Sequence, residues 1–299
     1  MPADADQLPL EGMPRRLYSC TPTRLTSWLD CPRRYRFSYL DRPTPPKGPP
    51  WAHNSLGSSV HNALRSWWDL PLRRRTPEAA GTLVETGWLT EGYRDDAQSA
   101  AVLGRAREMV ERCTSHLDPA VEPRAVERTV ATKTERLAVS GRVDRIDERG
   151  GELVVVDYKT GRRPLTTDDA RGSLALALYV LGARRTLRAD CHRVELHHLP
   201  TGDVLGFDHT EESLGRHLRR AESIADEAAA ADAGYRELAG RAEVPADVPR
   251  ELAAELDELF PPHPGALCGW CDFARHCPEG RAAAAPKRSW DAVEELVAE

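Results

Sequence analysis

In the stretch LVVVDYKTG, Leu153 to Gly161, an aspartate and a lysine stand two residues apart where a run of strand-forming residues breaks at a glycine. Two residues make one side-chain period of a strand, so Asp157 and Lys159 share a face while Val154, Val156 and Tyr158 share the other. Upstream, GRVDRIDERGGELVVVDYKTG supplies a partner strand: a tight turn at Gly150-Gly151 sets Arg149 opposite Glu152 and Asp144 opposite Asp157. Directly opposed residues have Cβ atoms about 4.5–5.5 Å apart, where like charges repel. One carboxyl must hold a proton, or a divalent cation must offset the repulsion, and carboxylate oxygens suit magnesium or manganese. A lysine beside such a cation can orient or deprotonate a water and steady developing negative charge. The competing reading is a solvated sheet edge on which Lys159 neutralises one aspartate. Lysine is scarce, however: of 41 basic residues only Lys47, Lys133, Lys159 and Lys287 are lysine, so a lysine in this position asks for a specific reason.

A second constellation lies near the end of the chain. CGWCDFARHC places Cys268, Cys271 and Cys277 at C-x2-C-x5-C spacing, which favours a soft or borderline metal. A tetrahedral site needs a fourth ligand, and Cys20, Cys31, Cys113, Cys191, His263 and His276 all qualify by type. Spacing alone does not separate a structural zinc from an iron–sulfur cluster.

These residues must be held by a fold that the rest of the sequence outlines. The length, 299 residues, suits one large domain or two small ones, and 40% apolar with 29% charged residues reads as soluble and globular. No signal peptide and no bilayer-spanning run is recognisable, so the expected compartment is the cytoplasm, with cysteines as thiols or metal ligands. The net charge of −6 argues against a uniformly basic surface, yet Arg33, Arg34 and Arg36, Arg73 to Arg75, Arg184 and Arg185, and Arg216, Arg219 and Arg220 cluster locally. Residues 1–16 read as a flexible tail. A helix from Pro22 is re-aimed near Pro32, RPTPPKGPP is a loop, and NSLGSSVHNALRSWWDL is a second helix with Leu56, Val60, Leu64 and Trp67 on one stripe. Residues 77–117 look helical with a break near Gly92. Strands follow at about 124–132, 135–148 and 152–159, then a helix at about 168–187, a hairpin turning at Thr201-Gly202, a long helix at about 210–238, and a Pro-rich acidic segment. The expectation is an antiparallel sheet flanked by helices, in an α/β (mixed α+β) fold.

The order G-x-V-D, hairpin, D-x-K resembles the PD-(D/E)XK nuclease superfamily. It is most similar to the RecB-type branch, with the AddB nuclease domain and the CRISPR adaptation nucleases that cut single-stranded ends; the resemblance spans residues 23–280. It implies a restriction-endonuclease-like core sheet, with the N- and C-terminal segments joined by a four-cysteine metal cluster. It also implies that His61, in LGSSVHNAL, completes a magnesium or manganese site with Asp144, Asp157 and the backbone carbonyl of Tyr158, while Lys159 serves the attacking water. CPRRYRF looks like the segment that supplies the first cluster cysteine, which assigns Cys31 with Cys268, Cys271 and Cys277 to a [4Fe-4S] cluster, the alternative being a structural Zn2+. One departure stands out: GSLALALYV keeps Tyr179, a substrate-positioning candidate, but has Ala175 where relatives carry glutamine. The implied division is a single nuclease domain at 17–280, with a helical portion at 55–120, a catalytic core at 121–210, a C-terminal helix and cluster segment at 211–280, and a tail at 281–299. The implied function is a metal-dependent DNA exonuclease acting on single-stranded or frayed ends in repair, recombination or processing. Its alternative is a catalytically weak or inactive iron–sulfur protein that binds DNA or serves assembly. No G-x-x-x-x-G-K-[ST] occurs, so the chain has no ATP site of that kind, and helicase action would come from a helicase or repair partner. No membrane partner is expected.

Overall fold

Gly150 and Gly151 both adopt a left-handed backbone, with φ of 61° and 86°, as a two-residue hairpin turn requires. The computed structural model describes residues 17–241 and 250–294. Its strands are β1 (Tyr18–Cys20), β2 (Ala125–Lys133), β3 (Leu137–Arg149), β4 (Glu152–Lys159), β5 (Cys191–His198) and β6 (Asp203–Asp208), with the glycine turn joining β3 to β4. Its helices are α1 (Pro22–Asp30), α2 (Pro32–Tyr39), α3 (Ala52–Trp68), α4 (Pro77–Thr86), α5 (Asp96–Ser115), α6 (Thr167–Gly172), α7 (Leu174–Leu187), α8 (Glu211–Arg241), α9 (Arg250–Leu259), α10 (Pro278–Ala283) and α11 (Asp291–Glu294). The expected flexible segment 1–16 and the last residues of the expected tail, 295–299, lie outside the described residues.

The strands form one sheet in the order β1-β3-β4-β5-β6, with β2 also on β3. It is mixed rather than antiparallel as expected, because β1 runs parallel to β3 and β4 runs parallel to β5. The crossover through α6 and α7 returns the chain to the end from which β4 began, and only a parallel partner can follow. The expected helix at 168–187 divides at Ser173, whose side chain accepts the backbone N–H of Leu176 and starts α7 afresh. At Cys31 the backbone is extended, and Pro32 opens α2 as its first residue, so α1 and α2 meet at an angle there.

Strand β4 is the centre of the packing. Val154, Val156 and Tyr158 face a core formed with α3, α4 and α5, while Leu153 and Val155 face a second core with α7. Both faces are covered, which explains the unbroken apolar run in the sequence. A third core joins α1 and α2 to α8 and α9 through Leu25, Trp28, Tyr35, Ala221 and Phe260. In the described part of the expected tail, α11 buries Val293 completely against the α3 core.

Candidate active site

Two short partners share one edge of β3. β2 pairs with residues 138–146 on one side, leaving the other to β1 at 137–139 and to β4 at 145–149. Between those partners residues 140–144 have no strand on that edge, and Asp144 ends the gap. The β3–β4 register is the expected one, with Arg149 opposite Glu152 and Arg145 opposite Val156, and the ladder stops one residue short of Asp144 and Asp157. Beyond it Asp144 Oδ2 accepts the backbone N–H of Tyr158 at 2.8 Å, and Asp144 Oδ1 lies 3.3 Å from His61 Nδ1 on α3.

Glu127 joins them, a residue not singled out in the sequence. It sits on β2 between Val126, paired with Arg145, and Arg128, paired with Val143, so it falls opposite Asp144, but its φ of 48° breaks the ladder there. A left-handed backbone at a residue with a side chain is strained, and strain of this kind gathers at functional sites. Ligand atoms of His61, Glu127 and Asp144 all lie within 4.8 Å of one another. The β2–β3 register was the signal that could have found Glu127: whichever turn joins those strands decides which residue faces Asp144.

Asp157 is close by without entering that trio. Its Oδ2 is 2.6 Å from Lys159 Nζ as an ion pair, yet this buried oxygen receives no well-directed hydrogen bond. Burial pushes the Asp157 carboxyl up from the ordinary range; Lys159 opposes that shift and the Asp144 charge adds to it. Burial also raises Glu127, again reinforced by Asp144. For His61 burial disfavours the imidazolium, but the hydrogen bond and charge of Asp144 outweigh it and the pKa is raised. An imidazole with three carboxylates, one of them holding a buried oxygen without a hydrogen bond, is a donor set that fits a hard divalent cation.

Tyr158 is fixed from both ends. Its hydroxyl accepts a 2.6 Å hydrogen bond from Arg145, a guanidinium that is 1% exposed and held by Asp147, and its ring meets His61 edge to face. Tyr158, Lys159 and Tyr179 line one cleft of about 1110 Å³ with His61, Glu127 and Asp144. Ala175 stands one turn before Tyr179 on α7, so the position of the missing glutamine is on the same helix.

The four cysteines singled out for a cluster come together elsewhere. Cys31, between α1 and α2, lines one pocket with Cys268, Cys271 and Cys277. Backbone N–H groups of Arg34 and Gly280 point at Cys31 and Cys277 at 3.5 and 3.4 Å, and Arg33 Nη1 donates to Cys277 at 3.7 Å. Gly280 gives this pocket its room: a Cβ there would stand 3.3 Å from Cys277 Sγ and 3.4 Å from Cys268 Sγ. Four cysteines around a space kept open by a glycine fit a thiolate-bound metal group. Cys20 and Cys191 are buried, and burial raises both thiols to about 12; Cys113 is raised to about 11. His263 and His276 bond to the carbonyls of Leu29 and Pro46.

Among solved structures, a "Putative exonuclease" from Eubacterium rectale matches with 12% identity and a TM-score of 0.47, covering 73% of this chain and 82% of that one. No curated protein matches the chain. The model of the PD-(D/E)XK nuclease superfamily matches residues 19–278, from within β1 to the first residue of α10. With every element that builds the cleft except α11 inside that match, this chain belongs to the PD-(D/E)XK nuclease superfamily.

Proposed function

We propose that the protein is a metal-dependent DNA nuclease of the RecB type, working from single-stranded or frayed ends in DNA repair, recombination or processing, with residues 17–280 as one nuclease domain. The observation that carries this reading is the convergence of His61, Glu127, Asp144 and Lys159 on one cleft, with Lys159 paired to the buried Asp157. His61, Glu127, Asp144, Asp157 and the carbonyl of Tyr158 would hold magnesium or manganese, which when bound supplies a Lewis acid for the phosphoryl oxygen and acidifies a water. Lys159, on an exposed stem beside Asp157, orients the attacking water and faces the charge that develops on the phosphate. Arg145 and the Asp144 carboxylate keep Tyr158 in place by its two ends, so its carbonyl stays put during turnover. Tyr179, with a hydroxyl raised to about 12 by burial, stays neutral and can donate to a phosphate or base.

Cys31, Cys268, Cys271 and Cys277 would hold a [4Fe-4S] cluster. The pocket lined by all four cysteines, with Gly280 leaving space beside Cys268 and Cys277, supports such a group, with a structural Zn2+ as the alternative. The cluster acts as a staple joining the α1–α2 corner to the segment before α10. A cytoplasmic location accords with seven cysteines that form no disulfide, and no helix among the described residues is long and apolar enough to cross a membrane. Helicase activity would come from a partner.

Ala175 favours a second reading, a DNA-binding or assembly protein whose chemistry is weak. Digestion of end-labelled single-stranded and duplex DNA by anaerobically purified protein, in manganese, magnesium or chelator, separates the two. The nuclease reading expects metal-dependent cleavage that is lost in Asp157→Ala and Lys159→Ala. Tight binding without cleavage, by protein whose iron and sulfide content is intact, would give the second reading the lead.

A further inference from the structure

Each carboxylate that lines the cleft or lies behind it has its own basic partner. Asp144 faces His61 at 3.3 Å, Asp157 faces Lys159 at 2.6 Å, and Glu127 faces Arg142 Nε at 2.7 Å. The three pairs differ in how firmly the base is held. His61 is itself a ligand candidate from α3, and Lys159 lies two residues from its partner on the same strand face. Arg142 is 70% exposed, lines the cleft, and holds a Glu127 side chain that is only 16% exposed.

We propose that Arg142 is a phosphate ligand released by metal binding: in the metal-free protein it neutralises Glu127, and when Glu127 turns to a bound cation Arg142 passes to a phosphodiester oxygen of the strand in the cleft. This rests on the metal-site reading given above.

Charge balance gives the exchange its direction. With His61 neutral, as an imidazole that ligates a metal must be, Lys159 and Arg142 leave the three carboxylates one charge short of neutrality. A divalent cation overshoots by the same amount, and one phosphodiester restores the balance. Two cations competing for the same carboxylate in a partly buried site repel each other far more than they would in water. The mobile one therefore leaves, and Arg142 is the mobile one. Its planar fork suits a phosphate as well as a carboxylate, so the transfer exchanges one charge-assisted pair for another. Arg65 on α3 also acts on Glu127 by charge, but Arg142 is the group in ion-pair contact with it.

The proposal predicts effects of opposite sign on two ligands. Mn2+ binding is measured by electron paramagnetic resonance of the free ion, and binding of a fluorescent single-stranded oligonucleotide by anisotropy, in Ca2+ or in EDTA across a salt series. Arg142→Gln removes the competitor, so Mn2+ should bind roughly 3- to 10-fold more tightly. In Ca2+ the same variant should lose one phosphate contact, lowering the slope of log affinity against log salt by about 0.7. In EDTA that slope should stay as in the wild type, because Arg142 is then engaged with Glu127. Arg142→Lys should recover most of the Ca2+ slope. Glu127→Gln should weaken Mn2+ binding yet tighten oligonucleotide binding in EDTA, since Arg142 is no longer held.

Unchanged or weaker Mn2+ binding by Arg142→Gln, or no gain in EDTA from Glu127→Gln, overturns the proposal while leaving the metal site standing. A wild-type protein that binds no Mn2+ overturns both, and that result appears before any variant is made.

Discussion

Replacing Asp157 by asparagine should make the metal-free protein more stable while abolishing cleavage. The carboxylate is mostly buried, its Oδ2 receives no well-directed hydrogen bond, and burial raises its pKa while the neighbouring Asp144 charge adds to the effect. One lysine with its head partly in water offsets only part of the cost of burying this carboxylate beside the Asp144 charge, and each unit by which a pKa is raised corresponds to about 1.4 kcal/mol. Asparagine keeps the shape, removes the charge, and leaves Lys159, which is 47% exposed, free to take up water. A gain of about 1–2 kcal/mol corresponds to a Tm higher by roughly 2–3 °C for a chain of this size. Manganese should reverse the order, because a ligand at about 100 times its Kd stabilises by about 2.7 kcal/mol and the variant lacks one of the proposed ligand groups. The assay is thermal unfolding of both proteins in EDTA and in Mn2+. The sign with pH follows from the raised carboxyl: folding favours its protonated form, so the wild type's deficit exists above that raised value and narrows as pH falls through it. A variant less stable than the wild type in EDTA at neutral pH would refute the reasoning, since Asp157 would then be a satisfied structural group.

Gly280→Val should lower bound iron and sulfide several-fold with the helical circular dichroism kept, because its side chain enters the space beside Cys268 and Cys277; Gly172→Ala, with nothing within 4 Å, is the control. Gly141→Ala would set a Cβ 2.5 Å from Tyr179 Cε1, an overpacking expected to cost about 1–3 kcal/mol in denaturant unfolding, and Tyr179→Ala in the same chain should restore much of it. Glu195 predicts an acid limb. Burial alone would raise its carboxyl, but hydrogen bonds from His197, Arg149 and Arg193 hold it far below the ordinary range. Its contribution is therefore present above the ordinary glutamate range and lost as pH falls through and below it, and Glu195→Gln should flatten stability against pH there.

The hairpin at Gly150-Gly151 was legible because a period-two pattern and a two-residue glycine turn together fix a register, and the register put Asp144 near Asp157. Between β2 and β3, Thr134 to Arg136 carry no such turn signal, so the residue that faces Asp144 is not fixed by the sequence. The left-handed backbone of Glu127 is a tertiary outcome that no local propensity announces. β1 is three residues long, too short for an alternation to be read, though it closes one end of the gap beside Asp144. The parallel partnership of β4 and β5 depends on where α7 packs, a matter of the whole sheet. Cys31 was one of several candidates by type, and the extended backbone that turns it inward appears only once α1 and α2 have formed.

The cleft is lined by Thr21, Pro22 and Thr23 on one side and by Ala292 and Val293 on another, with the reactive strand near the middle of the sequence between them. A polypeptide emerging during synthesis therefore displays Asp144, Asp157 and Lys159 well before α11 exists to complete their enclosure. Three of the four cysteines proposed to hold a cluster also arrive late. Until residue 293 has been made, the acidic strand is present without the part of the cleft lining that Ala292 and Val293 supply.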